Sequence, residues 1–326
     1  MRGLAPAAAE AYSQRTNQVR VDSHQHLWPE TLVAALSHRR EPPLIFRDDR
    51  GWFVRLRGEP DSAVDLADHD PELRGQWVEA DALDRALIAI SSPLGIEALP
   101  PDEALPLLEA YHDGVAALDD RFGAWGAVAL AEIDPRQVDA LLARGFVGLS
   151  IPAGAIATPA GLDRCGALLE RLERFEAPLL VHPGPAPWSP VIEAEAGAPD
   201  WWPAMSTYVA QMSSAWHAFL ATGRREHPRL RVLFAMLAGG GPLHAERLAA
   251  RGGPGVKVDD DMFVDSSSYG VQMIDHAVRV LGVDQLVYGS DRPVLGSLDC
   301  PLGEAVRQAM LVTNPLRLLQ PKEVLA

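Results

Sequence analysis

The sequence predicts an α/β fold: a distorted (β/α)8 TIM barrel with long capping insertions after strands 1 and 5. Three observations predict it. Eight short apolar runs rich in Val, Ile, Leu and Ala alternate with eight amphipathic stretches of helical length, the order in which helical crossovers build a parallel sheet. The runs are continuously apolar rather than alternating, as strands covered on both faces are. A chain of 326 residues, 48% of them hydrophobic, suits one barrel, so residues 1–326 are read as a single domain.

Each element has its own justification. An Ala-rich leader over residues 1–17 lacks the apolar segment of a signal peptide. The first strand, Val19–His24, follows it. A helix over Pro71–Leu83 leads to the strand Ala86–Ser91, and a helix over Asp102–Asp120 to the strand Ala124–Leu130. The helix Pro135–Arg144 starts on Asp134 as N-cap with proline at its first position. Strand Val147–Ile151, helix Leu162–Glu176 and strand Leu179–His182 come next, the last stopped by Pro183-Gly184. Helix Met205–Thr222, strand Arg231–Leu237, a glycine triplet and helix Pro242–Arg251 follow. Strand Phe263–Ser266, helix Val271–Leu281, strand Leu286–Gly289 and helix Leu302–Val312 complete the eight units.

Two connections are too long for ordinary barrel loops. Residues 27–70 contain LIFR and WFVRLR around DDRG, a hairpin pattern, and residues 184–204 hold five prolines and three tryptophans. Each follows a strand that ends in histidine. Loops after barrel strands build the active site, so both insertions are expected to cap it.

Composition excludes several function classes. Net charge is −15, from 29 basic and 44 acidic residues, which argues against nucleic acid or an anionic membrane as partner. No apolar run reaches the roughly 18 residues of a membrane span. Cys165 and Cys300 make no disulfide framework, so a reduced, cytoplasmic setting is expected. The expected partner is a small-molecule substrate, with a homodimer held open. Lys257 and Lys322 are the only lysines, so a mechanism needing a buried lysine has almost nowhere to find one.

The densest chemical signal is VDSHQH, residues 21–26. Side chains alternate along a strand, so Asp22, His24 and His26 are expected on one face, and two imidazoles at i and i+2 can share a metal ion. His182 closes a buried strand in PLLVHPG, where packing explains an imidazole poorly. Asp291 ends the last strand in LVYGSDRP. Three histidines and a carboxylate at strand ends point to one metal site.

DxHxH on the first strand, a strand-end VHPG, a glycine triplet and YGSDRP, in this order, resemble the amidohydrolase superfamily. The likeness is to its amidohydrolase 2 branch, which includes metal-dependent hydrolases and aminocarboxymuconate-semialdehyde-decarboxylase-like enzymes. It runs from about Val19 to about Leu319. It implies that His24 and His26 are first-strand ligands, His182 the fifth-strand ligand and Asp291 the last-strand ligand. The sequence departs from the pattern twice. Ser150 stands where binuclear members carry a carboxylated lysine, so one metal ion is expected. Met236 stands where the sixth strand normally ends in a histidine that works in the decarboxylases.

The reading favoured from sequence is a hydrolase using a metal-activated water on an amide, lactone or ester of a small, apolar or ring-containing substrate. Its cofactor is one divalent ion, zinc first, with Mn, Fe or Co also suited. Asp291 is the expected general base. Non-oxidative decarboxylation of an aromatic or unsaturated carboxylic acid is the first rival; a metal-free lactonase and a catalytically silent binding protein are the others. Trp28, Trp188 and Trp202 are expected to wall the pocket, and Arg292 to clamp a substrate carboxylate, with Arg55 or Arg57 as substitutes. His38, His69, His112, His217, His227, His244 and His276 are read as structural or solvated, and Asp259–Asp261 as a hydrated turn.

Overall fold

A computed structural model describes residues 19–190, 197–253, 260–296 and 302–320. The expected leader, Cys300, both lysines, Asp259 and part of the second insertion lie outside the described residues. Eight strands form the barrel: β1 (Val21–His26), β5 (Arg85–Ala89), β6 (Phe122–Ala124), β7 (Leu149–Pro152), β8 (Leu179–His182), β9 (Val232–Phe234), β10 (Met262–Asp265) and β11 (Leu286–Val287). They pair in parallel and in chain order, β1-β5-β6 and β7-β8-β9-β10-β11. Backbone hydrogen bonds close the ring. Gly126 bridges to Leu149 on one side; on the other, Ser23 N donates to Tyr288 O at 2.8 Å and Asp291 N to His24 O at 3.1 Å. Every residue of β1, β7, β8 and β10 is buried, which is why their runs lack polar alternation.

The first insertion folds as expected and adds more. Helix α1 (Glu30–Ser37) comes first, then an antiparallel sheet of β2 (Leu44–Asp48), β3 (Gly51–Arg55) and a short β4 (Ser62–Ala63). Helix α2 (Pro71–Ala80) begins where Asp70 accepts from Leu73 N, with proline at the start.

Three elements differ from the expectation. β6 stops at Ala124, and the backbone of the next residues finds partners outside a ladder: Ala127 N donates to His112 Nε2 at 3.2 Å and Leu130 N to Glu97 O at 2.8 Å. β9 stops at Phe234. Met236, Leu237 and Ala238 then take left-handed φ values of 54°, 45° and 54°, so the expected strand end becomes a tight turn. Gly239 continues it at φ 61°, and a Cβ there would lie 2.5 Å from Val209 O. The helix expected over Pro242–Arg251 is reduced to a turn at Gly241–His244 and a short helix Ala245–Ala249. None of the described helices is long and apolar enough to cross a membrane.

Candidate metal centre

β1 carries a bulge: its register against β5 shifts between Asp22 and Gln25. Simple alternation therefore fails, and Asp22 does not join the histidines. Its carboxylate accepts from Gln25 Nε2 at 2.7 Å, from Ser290 N at 3.1 Å and from His24 N at 3.1 Å. It ties β1 to the last strand, and burial raises its pKa despite these bonds. Buried Arg74 of α2 holds the same strand from outside, donating to the His26 carbonyl at 2.5 Å and to the Gln25 side chain. At the end of β8, glycine is required: a Cβ on Gly184 would lie 2.7 Å from Ser92 O.

His24, His26, His182 and Asp291 meet at the barrel mouth, all buried, with one donor atom from each lying within 4.8 Å of the others. His26 Nε2 is 3.2 Å from His24 Nε2, 3.1 Å from His182 Nε2 and 3.1 Å from Asp291 Oδ1. The tautomers follow from the other ring nitrogens. His24 Nδ1 faces Asp265 Oδ2 at 2.9 Å, His26 Nδ1 the Ala89 carbonyl at 3.0 Å, and His182 Nδ1 the Pro183 carbonyl at 2.9 Å. All three partners only accept, so each Nδ1 carries the proton and each Nε2 presents a bare lone pair. Three lone pairs and a carboxylate oxygen converging at this spacing repel one another unless a cation sits among them. The donor set therefore fits one divalent metal ion.

Burial pushes His24 down, but Asp265, Asp291 and Asp22 outweigh it and raise its pKa to about 8, so without a metal a proton competes for the Nε2 lone pair that a cation would fill. His182 is driven well below its ordinary value by burial and by His26 and His24. Burial pushes Asp291 up, yet the rings of His26, His24 and His182 against it hold it down, at about 2. Asp291 has a left-handed φ of 59°, a strained conformation of the kind found at functional sites.

The centre opens into a cavity of about 540 Å³ walled by Trp28, Val54, Leu56, Glu59, Leu94 and Tyr208, with Met236 and Ser268 beside Asp291. Trp28 stands in the wall as expected, its Nε1 donating to Ser91 Oγ at 2.8 Å. Met236 also faces the cavity, so the place of the branch histidine holds a thioether. Ser150 is buried opposite Leu180, and its hydroxyl meets no partner among the described residues.

Three expected substrate residues are elsewhere. Trp188 donates to Ala155 O at 3.3 Å and lies under the Arg164 guanidinium at 5.0 Å, anchoring its loop. Trp202 is 49% exposed, and its neighbours Pro203 and Ala204 supply the wall instead. Arg292 pairs with Asp81 at 2.8 Å over the Trp77 ring, so its charge is already satisfied away from the cavity. Arg55 is likewise paired, with Asp61 at 2.7 Å. Arg57 lines a smaller cavity of about 160 Å³ that shares Glu59 and Tyr208 with the larger one.

Sequence reasoning missed two residues. Asp265 orients His24; its signal was a carboxylate inside the apolar strand FVDSSS, which burial forbids without partners. His69, read as structural, lies in the cavity wall; no local motif marks it.

No family model matches the chain, and no curated protein does. Solved structures do. The apo IDCase of Metarhizium anisopliae is similar over 95% of this chain and 98% of its own, at 16% identity and a TM-score of 0.72. The 5-carboxyvanillate decarboxylase of Novosphingobium aromaticivorans, complexed with manganese and 4-hydroxy-3-methoxy-5-nitrobenzoic acid, is similar over 93% and 96%, at 17% identity and a TM-score of 0.70. A putative amidohydrolase from Staphylococcus aureus is similar over 93% and 99%, at 15% identity and a TM-score of 0.63. The chain has the barrel fold of these amidohydrolase-type proteins, as the motifs implied.

Proposed function

We propose that the chain is a metal-dependent enzyme of the amidohydrolase 2 type that decarboxylates an aromatic or unsaturated carboxylic acid without oxidation. The observation that carries the proposal is the centre itself: three Nε2 atoms and the Asp291 carboxylate on the floor of a largely apolar cavity of about 540 Å³. The fold it shares with decarboxylases turns the choice from hydrolysis, the sequence's first reading, to carbon–carbon cleavage.

A bound divalent ion, manganese or zinc, supplies Lewis acidity toward a substrate oxygen. The side chains do the rest. Trp28, Val54, Leu56 and Leu94 offer apolar surface to a flat ring and exclude water from it. Asp291 turns Oδ1 to the histidines, and its Oδ2 accepts from Ser268 Oγ at 3.4 Å. Its carboxylate, ionised at rest, takes one proton from solvent and hands it to the ring carbon that bears the substrate's carboxylate. The bond to the carboxyl carbon then breaks, its electron pair stays on the ring, and CO2 leaves, so that RCOO− and the proton become RH and CO2.

Met236 favours a second reading. With no imidazole at the sixth-strand position, the same carboxylate would serve hydrolysis, taking a proton from the attacking water and passing it to the leaving group. One experiment separates the two. Manganese-loaded protein is incubated in D2O with a panel of hydroxybenzoic acids and, separately, of lactones and amides. Decarboxylation releases CO2 and leaves one deuterium at the vacated ring carbon. Hydrolysis of a lactone or amide with no CO2 from any acid would overturn the proposal in favour of the second reading.

A further inference from the structure

His69 enters the cavity from the first insertion, between β4 and α2. Its ring stacks on Trp28, centroids 4.6 Å apart and planes 9° from parallel. Trp28 N donates to His69 Nδ1 at 3.0 Å. A backbone N–H can only donate, so Nδ1 is the bare nitrogen and Nε2 carries the proton. This is the opposite tautomer to the three metal-site histidines. Among the described residues nothing accepts from His69 Nε2, yet the residue is only 6% exposed and lines the cavity. A proton on a nearly enclosed ring that lines the cavity, with no acceptor among the described residues, is left for something that enters the cavity to accept.

We infer that His69 is a substrate-positioning residue whose Nε2–H donates to an oxygen of the bound acid. The inference rests on the decarboxylase reading for the class of ligand, an aromatic carboxylate, and not for the step that follows. The ring is suited to the task because it stays neutral: burial, with Arg74 and His26 nearby, lowers its pKa to about 3. It holds the ligand as a fixed dipole and takes no part in proton transfer. In this chain it places an imidazole in the cavity from the first insertion, while the sixth strand contributes Met236.

The test uses manganese-loaded protein and 4-hydroxy-3-methoxy-5-nitrobenzoic acid, a coloured ligand whose binding is read directly. His69→Asn keeps an oxygen near the place of Nδ1 for the Trp28 N–H but deletes the distal donor. His69→Gln restores an N–H near the place of Nε2. The expected result is binding weaker by roughly ten- to a hundredfold for His69→Asn, the range for one hydrogen bond to a charged group. His69→Gln should recover part of the loss, with manganese content unchanged in both. Binding by His69→Asn equal to the parent would overturn the inference, as would loss of manganese or of folding in both variants, which marks a structural role. A parent that does not bind the nitrobenzoate overturns it as well. A parent that binds the ligand but releases CO2 from no acid overturns the decarboxylase reading and leaves the binding comparison to decide His69.

Discussion

Asp265 accepts the Nδ1 proton of His24 at 2.9 Å across 241 positions of chain. Its other oxygen accepts from Met236 N at 2.9 Å, from Ser267 N at 3.0 Å and from Ser267 Oγ at 2.5 Å. One carboxylate thus sets the tautomer of a metal-site histidine and holds the left-handed turn that brings Met236 to the cavity. Asp265→Asn replaces one acceptor oxygen by a donor and leaves two donors facing each other. Metal affinity is expected to fall by roughly ten- to a hundredfold, the usual effect of losing such an outer partner. Titration of manganese against a competing chelator measures it, and unchanged affinity would show that Asp265 serves the turn alone.

Asp291 is expected to act both in the centre and on the substrate. Asp291→Asn keeps its bulk but removes the group that holds a proton. Turnover should fall by roughly two to four orders of magnitude, and bound metal should be measured alongside. Turnover near that of the parent would defeat the mechanism whatever the metal content.

Met236 gives a complementary test. Its φ of 54° suits histidine better than methionine, since histidine is enriched in the left-handed region. Met236→His therefore places an imidazole in the cavity wall without a change of backbone. Release of CO2 should rise, because a second proton carrier faces the ring. A rate equal to that of the parent would show that Asp291 alone limits proton delivery.

Trp188 is a loop anchor, and its truncation should be read in stability. Trp188→Ala is expected to lower Tm by several degrees, a loss of roughly 1–3 kcal/mol for a half-buried aromatic, while ligand affinity stays within about twofold. Weakened binding at unchanged Tm would return Trp188 to the pocket.

Glu97 makes stability depend on pH. It is buried behind Ser92, whose Oγ donates to Oε1 at 2.5 Å, and Oε2 has no partner among the described residues. Burial raises its pKa from 4.5 to about 7. The folded state therefore holds its proton where the unfolded chain has released it. Its contribution is fully present below pH 4.5 and is lost as pH rises through about 7. Glu97→Gln keeps the shape and cannot ionise, so it should be more stable than the parent above pH 7, by roughly 3 kcal/mol. Urea unfolding at acidic and alkaline pH checks the sign; a parent that gains stability over this interval relative to Glu97→Gln contradicts it.

By itself the sequence determined the barrel and its candidate metal centre, because both are written locally. Continuous apolar runs mark buried strands, proline and glycine mark their ends, and the fold brings all strand ends to one rim. His26 and His182 end their strands, His24 lies two residues before the end of β1 and Asp291 four residues beyond β11, so position near a strand end was enough to bring them together. The tertiary structure alone decided the rest. Which nitrogen of each imidazole is bare depends on acceptors such as Ala89 and Asp265, 63 and 241 positions away. Arg292 follows Asp291 directly, yet its charge goes to Asp81, 211 positions away. His69 reads as structural or solvated in sequence, but Trp28 fixes its ring from 41 positions away. Hydrogen bonds and ion pairs are directional and act over a few ångströms. Distances along the chain do not encode them until the barrel has closed.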